Sequence, residues 1–339
     1  MSRLHLVPAF AALLACAHFA PAQKTPYTYI RAGEPANMTV QPRAGLALMG
    51  GGTDLDEAFQ FLCERANGGD MVVLRARGDD EYNAYLRGIC RLNSVATLII
   101  PSRKAAEEPF VAETISHAAA IFIAGGDQAN YINFWMNTPV QNALNEAISR
   151  GVPIGGTSAG LAVLGEYAYS AQGDKPDDPN LDSKTALADP FGPRISTARA
   201  FLEIPILKGI ITDTHFARRD RMGRLLVFLA RLNEGSGKGE STSPQHVRGI
   251  GVQERAAVLL EPDGKAHVVG YGPAYFIEAD RASGVVQKGK PLTYGPFVVQ
   301  KAAPGAEFYI KSWAGDAISY KLSVENGKIR SSQTANEIY

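Results

Sequence analysis

From Gly45 onward the chain alternates short apolar runs with helical patterns, and this alternation limits the fold more than any other feature. The runs are GLALMGGG, MVVLRA, VATLII and AAAIFIAGG, followed by amphipathic stretches at residues 55–66, 82–92, 105–117 and 140–150; a fifth run, VPI, leads into GGTSAG. Strands that read as continuous apolar runs are buried on both faces, so the pattern predicts an α/β fold with a mostly parallel sheet flanked by helices. At 339 residues, 45% hydrophobic and 20% charged, the chain can fill such a core. Ligands of open α/β sheets bind at the carboxyl ends of the strands, and there the fifth run delivers a serine.

The segment Gly156-Thr157-Ser158-Ala159-Gly160 has the form G-x-S-x-G. In a nucleophile elbow of this form a sharp strand-to-helix turn lifts the serine hydroxyl out of the sheet. A side chain at 156 or 160 would clash across so tight a turn. The same residues also fit an ordinary turn with Ser158 as a helix N-cap, and a base and an orienting carboxylate elsewhere decide between the two.

Four histidines lie beyond the leading segment: His117, His215, His246 and His267. His117 ends a helical pattern, His246 falls in a flexible loop and His267 alternates in a strand. His215 differs, because GIITDTHFARRDRMGRLL places it just after an apolar strand and just before a helix. The first turns of that helix are expected to hold Arg218, Arg219, Arg221 and Arg224, the wrong sign of charge for a helix N-terminus. A solvated face softened by Asp220 is one reading; an anion site suited to bidentate carboxylate recognition is the preferred one, with Arg221 and Arg224 sharing a helical face. For the orienting acid, Glu254 lies at a turn after the apolar run GIGV. The order Ser158, His215, Glu254 departs from the Ser, acid, His order of α/β-hydrolases and suits a class I glutamine-amidotransferase-like fold.

Residues 1–22 carry Arg3, an apolar stretch and Ala20-Pro21-Ala22, and read as a signal peptide cleaved before Gln23, so export to the periplasm or medium is expected. Leu13-Leu14-Ala15-Cys16 also resembles a lipobox, which would anchor the chain at Cys16 instead. Residues 23–43 are expected to form a loosely packed lead-in, and 44–339 a single α/β domain that becomes β-rich from about residue 249. Residues 170–194 read as a long surface loop over the site. Cys63 and Cys90 read as buried thiols, and an exported chain also permits a disulfide between them. A formal net charge of zero points to neither nucleic acid nor an anionic membrane, and nothing after residue 22 is long enough to form a transmembrane segment. Gly50-Gly51-Gly52 fails the G-x-G-x-x-G fingerprint because Leu55 stands where the third glycine belongs, GSGKGES fails the Walker pattern, and no H-E-x-x-H or paired C-x-x-C occurs. No metal and no organic cofactor are expected.

GGDQANYI (residues 125–132), GGTSAG (155–160), DTHFARRDRMGRL (213–225) and GIGVQE (249–254), in that order, resemble the cyanophycinase branch of the S51 serine peptidases, related to aspartyl dipeptidase; MGGGTDLDEAF and VVLRARGDDEYNAYL look like its N-terminal blocks. The resemblance implies Ser158 as nucleophile, His215 as general base and Glu254 as the acid that orients it. It implies an oxyanion hole from backbone amides near Gly126 and Asp127 and at Ala159. It matches Gln128, Asp213, Arg219, Arg221 and Arg224 to substrate-contacting positions. The substrate implied is an aspartyl peptide or the β-Asp-Arg isopeptide of cyanophycin, released as dipeptides by a serine-type exopeptidase, and a homodimer is suggested. Thr214 stands where the family usually has Gln, and Gln253 where it often has Asp. Two rival functions are an amidase or amidotransferase-like hydrolase and a catalytically silent binding protein on the same fold.

Overall fold

The computed structural model describes residues 25–174, 177–178, 180–199, 201–234 and 246–339. The signal peptide, the lipobox and most of the EGSGKGESTS segment lie outside these residues. Five parallel strands occupy the middle of a ten-stranded sheet in the order Ser94–Ile99, Asp70–Arg75, Ala120–Ile123, Ile154–Thr157, Leu46–Met49. Their side chains are almost all buried, as continuous apolar runs require. Helices Asp56–Arg65 and Glu81–Ile89 cover one face, where Phe59, Leu62 and Leu86 pack with Met71, Val73 and Phe122. Helices Pro109–Ser116 and Pro139–Ser149 cover the other, with Val111, Ile115 and Leu144 against Val72, Leu74 and Ile121. The α/β class expected from the sequence is therefore the fold.

A second sheet of eight strands contains the segments on which the site depends. Ile210–Asp213 and Arg248–Val252 run parallel to each other in it, and Ala274–Val285, Thr293–Ala302, Ile318–Glu325 and Lys328–Ser331 continue it antiparallel. Helix Met222–Glu234 packs Leu225, Leu226 and Leu229 into the core of this sheet. Ala256–Leu260 crosses back and joins the first sheet antiparallel to Leu46–Met49. The functional edge is thus shared by two sheets, where the sequence pattern suggests one.

Three local expectations need correction. The helix expected over 105–117 divides into Arg103–Ala106 and Pro109–Ser116, because Pro109 lacks the N–H that a continuous helix needs and restricts the residue before it. Within the presumed lead-in, Thr28–Gly33 forms an edge strand antiparallel to Ser94–Ile99; it is only partly buried, so it lacks the apolar signature of its neighbours. Cys63 and Cys90 are joined in a disulfide that ties helix Asp56–Arg65 to the end of Glu81–Ile89. Among the described residues no helix is long and apolar enough to cross a membrane.

Candidate active site

Ser158 sits between strand Ile154–Thr157 and the short helix Ala159–Ala162, with φ 51° and ψ −116°. Such a conformation costs a non-glycine residue roughly 1–3 kcal/mol and persists only where its surroundings enforce it. They do so here. The Ser158 amide donates to Met49 O at 3.2 Å. A Cβ on Gly156 would lie 2.5 Å from the Gly160 carbonyl carbon, and one on Gly160 would collide with the Ile123 carbonyl oxygen. Ser158 makes no side-chain cap bond to its helix. Its Oγ lies 2.7 Å from His215 Nε2 instead.

His215 follows strand Ile210–Asp213 of the second sheet, also at positive φ (48°). Its Nδ1 is 2.7 Å from Glu254 Oε1, so a neutral ring protonated on Nδ1 donates to Glu254 and accepts the Ser158 hydroxyl. Glu254 lies in the turn between strands Arg248–Val252 and Ala256–Leu260. Glu261, the other carboxylate on this stretch, is paired with Arg65 instead. Burial of His215 drives its pKa down to about 4; the bond to Glu254 opposes this, and the positive charges of Arg219 and Arg221 add to it. At neutral pH the imidazole is an uncharged base.

The glycine turn after Met49, which reads in the sequence as a failed nucleotide fingerprint and as part of a family-like block with no role assigned to it, joins these three residues. Gly50 O accepts from the His215 amide at 2.8 Å, and Gly51 O from the Arg255 amide at 2.9 Å. Gly51, at φ +92°, is so close to the imidazole that a Cβ there would lie 2.5 Å from Cε1. Three glycines at the carboxyl end of a buried strand signal close backbone approach, and the partner approached is the histidine. Gln253 is a second residue that sequence reasoning left aside as a departure. Its Oε1 accepts from the Glu254 amide at 2.9 Å and the Arg218 amide at 3.2 Å, linking the turn of the acid to the loop of the base.

Ser158 opens into a cavity of about 500 Å³ whose walls include Gly126, Asp127, Gln128, Ala159, Arg219 and Arg221. The Gly125-Gly126 turn borders the serine: a Cβ on Gly125 would be 3.6 Å from Ser158 Cβ. Tyr131 fixes this turn by donating to Ala124 O at 2.8 Å, and Asp127 caps helix Gln128–Trp135 by accepting the Ala129 amide. The amides of Gly126 and Asp127 have no hydrogen-bond partner among the described residues, which leaves them free to donate into the cavity.

The arginines are arranged differently from the sequence expectation. The helix begins at Met222, so Arg218, Arg219 and Arg221 precede it in a turn and Arg221 does not share its face with Arg224. Arg224, 2% exposed, is bound bidentately by Asp213, Nε to Oδ2 at 2.8 Å and Nη2 to Oδ1 at 2.5 Å, over the ring of Tyr169. Neither Asp213 nor Arg224 lines the cavity; each neutralises the other in the core. Arg221 is buried but reaches the cavity, held by Thr214 O at 3.0 Å, Thr214 Oγ1 at 3.1 Å and Asn180 Oδ1 at 3.1 Å. Burial, with the neighbouring Arg224 charge, pushes its pKa down to about 9. Arg219 has a 44% exposed side chain, with Nε 3.9 Å from Glu254 Oε1.

The model of peptidase family S51 matches residues 75–188. Cyanophycinase from Synechococcus elongatus is 28% identical over 260 residues, 72% of each chain, and cyanophycinase from Geminocystis herdmanii is 29% identical over 187 residues, 55% of this chain and 59% of that one. A crystal structure of a peptidase from an acI-B1 Actinobacterium superposes with a TM-score of 0.50 at 17% identity, covering 79% of this chain and 98% of the other; at that identity it speaks for the fold.

Proposed function

Since the chain is a cyanophycinase-like member of peptidase family S51, and so a peptidase hydrolase, we propose that it is a serine peptidase that cleaves aspartyl or β-aspartyl-arginine peptides through Ser158, His215 and Glu254. The observation that carries this reading is the unbroken line from Ser158 Oγ through His215 to Glu254, two contacts of 2.7 Å ending in an open cavity. A neutral hydroxyl is a weak nucleophile, so His215 Nε2 takes its proton as Oγ bonds to the scissile carbonyl carbon. Glu254 holds the imidazole in the required tautomer and stabilises the imidazolium. The carbonyl oxygen, now carrying the electron pair, receives hydrogen bonds from the amides of Gly126, Asp127 and Ala159; one such donor contributes roughly 3 to 4 kcal/mol in other serine hydrolases. Collapse of the intermediate breaks the C–N bond, His215 returns the proton to the departing amine, and water releases the acyl group by the same steps in reverse order.

Arg219 and Arg221 favour a substrate carboxylate in the cavity, with Gln128 as a neutral neighbour. Asp213 and Arg224 support that wall from behind. Release of dipeptides follows if the cavity accepts a chain end. The protein acts outside the cytoplasm after loss of residues 1–22, and the Cys63–Cys90 bond fits an oxidising compartment. The test is incubation of the protein beginning at Gln23 with cyanophycin and with α- and β-aspartyl peptides, followed by mass spectrometry. Release of β-Asp-Arg supports the narrow substrate, cleavage of other aspartyl peptides alone supports the broader one, and turnover that survives Ser158→Ala overturns the mechanism.

A further inference from the structure

Between His215 and helix Met222–Glu234 the chain makes a tight loop that carries both cavity-facing arginines. Its internal bonds are few: the Arg219 amide donates to His215 O, that of Asp220 to Ala217 O and that of Arg221 to Phe216 O. Asp220 is in the left-handed region at φ 47°. Such a loop needs external support to keep two guanidinium groups in place, and the support comes from far along the chain. Tyr339 Oη donates to Asp220 Oδ1 at 2.9 Å and accepts the Met222 amide at 2.9 Å. Its ring meets those of Phe216 and Tyr275 edge-on, each with centroids 6.0 Å away. The preceding carbonyl, of Ile338, accepts from Tyr320 Oη at 2.8 Å, which fastens this segment to strand Ile318–Glu325. On the other side of Asp220, Ser183 donates its amide to the Asp220 carbonyl at 2.7 Å, and its hydroxyl accepts the Gly223 amide at 2.8 Å.

We propose that Tyr339, acting through Asp220, is a positioning residue for carboxylate recognition: its hydroxyl closes the loop at both ends and so fixes where Arg219 and Arg221 face the cavity. Burial keeps its pKa above the ordinary tyrosine value, so the hydroxyl keeps its proton and can donate to Asp220 while accepting from Met222. The effect is directed at binding more than at proton transfer, because the His215 ring is held by Glu254 and Ser158 and its amide by Gly50, while the loop touches it only through the Arg219 amide on its carbonyl. This rests on the reading of Arg219 and Arg221 as carboxylate-facing.

The experiment compares kcat and KM on matched peptides that differ only in a free carboxylate or its amide, for the full chain and for Tyr339→Phe, Asp220→Ala and Asp220→Asn. Tyr339→Phe keeps the ring and loses two hydrogen bonds, so the preference for acid over amide should fall by about threefold to tenfold, through KM for the acid, with kcat nearly unchanged. Asp220→Ala, which also loses the bond from the Ser183 hydroxyl to Oδ1 at 2.9 Å, should lower the preference at least as much. Asp220→Asn should restore most of the preference, since an amide oxygen still accepts from Tyr339 and asparagine tolerates positive φ. An unchanged preference in Tyr339→Phe and Asp220→Ala overturns the proposal even if both melt earlier, and so does an Asn variant as impaired as the Ala one. Should Tyr339→Phe not fold, the two Asp220 variants decide. If the unaltered protein cleaves none of the peptides, the peptidase reading fails on its own. Hydrogen exchange at the Met222 amide then decides: faster exchange in Tyr339→Phe supports the brace and unchanged exchange removes it.

Discussion

Two walls of one cavity are built on different principles. On one, Ser158 and His215 stand at positive φ on turns packed against glycines that leave no space for a Cβ. On the other, Arg219 and Arg221, with Arg224 behind them, lie within six positions of each other and meet three different environments: half exposed, buried on Thr214 and Asn180 at 3.8 Å from Asp213, and buried with that carboxylate bound bidentately. The first wall is fixed by close backbone packing; the second by which side chain is buried beside each charge. A backbone-built wall should therefore fail when a single atom is added. A side-chain wall should lose function at one arginine and stability at another.

The largest expected effect is at Ser158. Ser158→Ala should lower kcat by about 10⁴- to 10⁶-fold while circular dichroism stays the same. Next is Gly51→Ala, which should lower kcat roughly 100-fold by displacing the imidazole. Gly68→Ala is its control, because Gly68 shares the positive φ (+77°) but has nothing within 4 Å of an added Cβ. It should lose only about 1 kcal/mol of stability, measured in urea, and keep its kcat. Equal loss of kcat in the two variants would show that the glycine turn matters for strain and not for its approach to the histidine.

For the second wall, Arg221→Ala should cost about 1.5 to 3 kcal/mol in kcat/KM on a free-carboxylate peptide and much less on its amide. Arg224→Ala should leave most of that preference and destabilise the fold by about 3–5 kcal/mol, because buried Asp213 then loses its bidentate partner and keeps only Arg221, 3.8 Å from its Oδ1, as a counter-charge. If Arg224→Ala instead erased the preference, the two arginines would have to be one unit. The smallest effect joins the walls. His215 must be neutral to act as base, so kcat/KM should fall as pH drops through a value near 4, well below the 6.5 of free histidine. Arg219→Gln removes a positive charge that disfavours protonation, so this limb should move to higher pH, by roughly half a unit or less because Arg219 is well exposed.

The same contrast explains what was legible in the sequence. The five parallel strands could be read because each is a continuous apolar run, and Gly156 and Gly160 because a sharp turn demands small residues there. Where the signal depends on a partner, the sequence misleads. Gly50-Gly51-Gly52 looks like an incomplete nucleotide loop, since its partner His215 lies more than 160 positions away. Arg218 to Arg224 look like one cationic helix face because nothing local says that the helix starts at Met222 or that Asp213 turns to meet Arg224. The edge strand Thr28–Gly33 is hidden for a related reason: its pairing with Ser94–Ile99 leaves it half exposed, without an apolar run to announce it.

Because the strands before Ser158 and His215 belong to different sheets, and Glu254 lies where the chain passes from the second back to the first, the line of hydrogen bonds is also a seam. Sliding one sheet an ångström against the other would pass undiluted into contacts that are 2.7 Å long. Mechanically, the active site is a strain gauge mounted across the joint of the molecule. Turnover should fade on mild heating or in dilute urea before the sheets themselves melt, and a molecule that bridges the cavity would act as a clamp across a joint whose two sides already share a core through Ile154, Ile210, Ile250 and Val252.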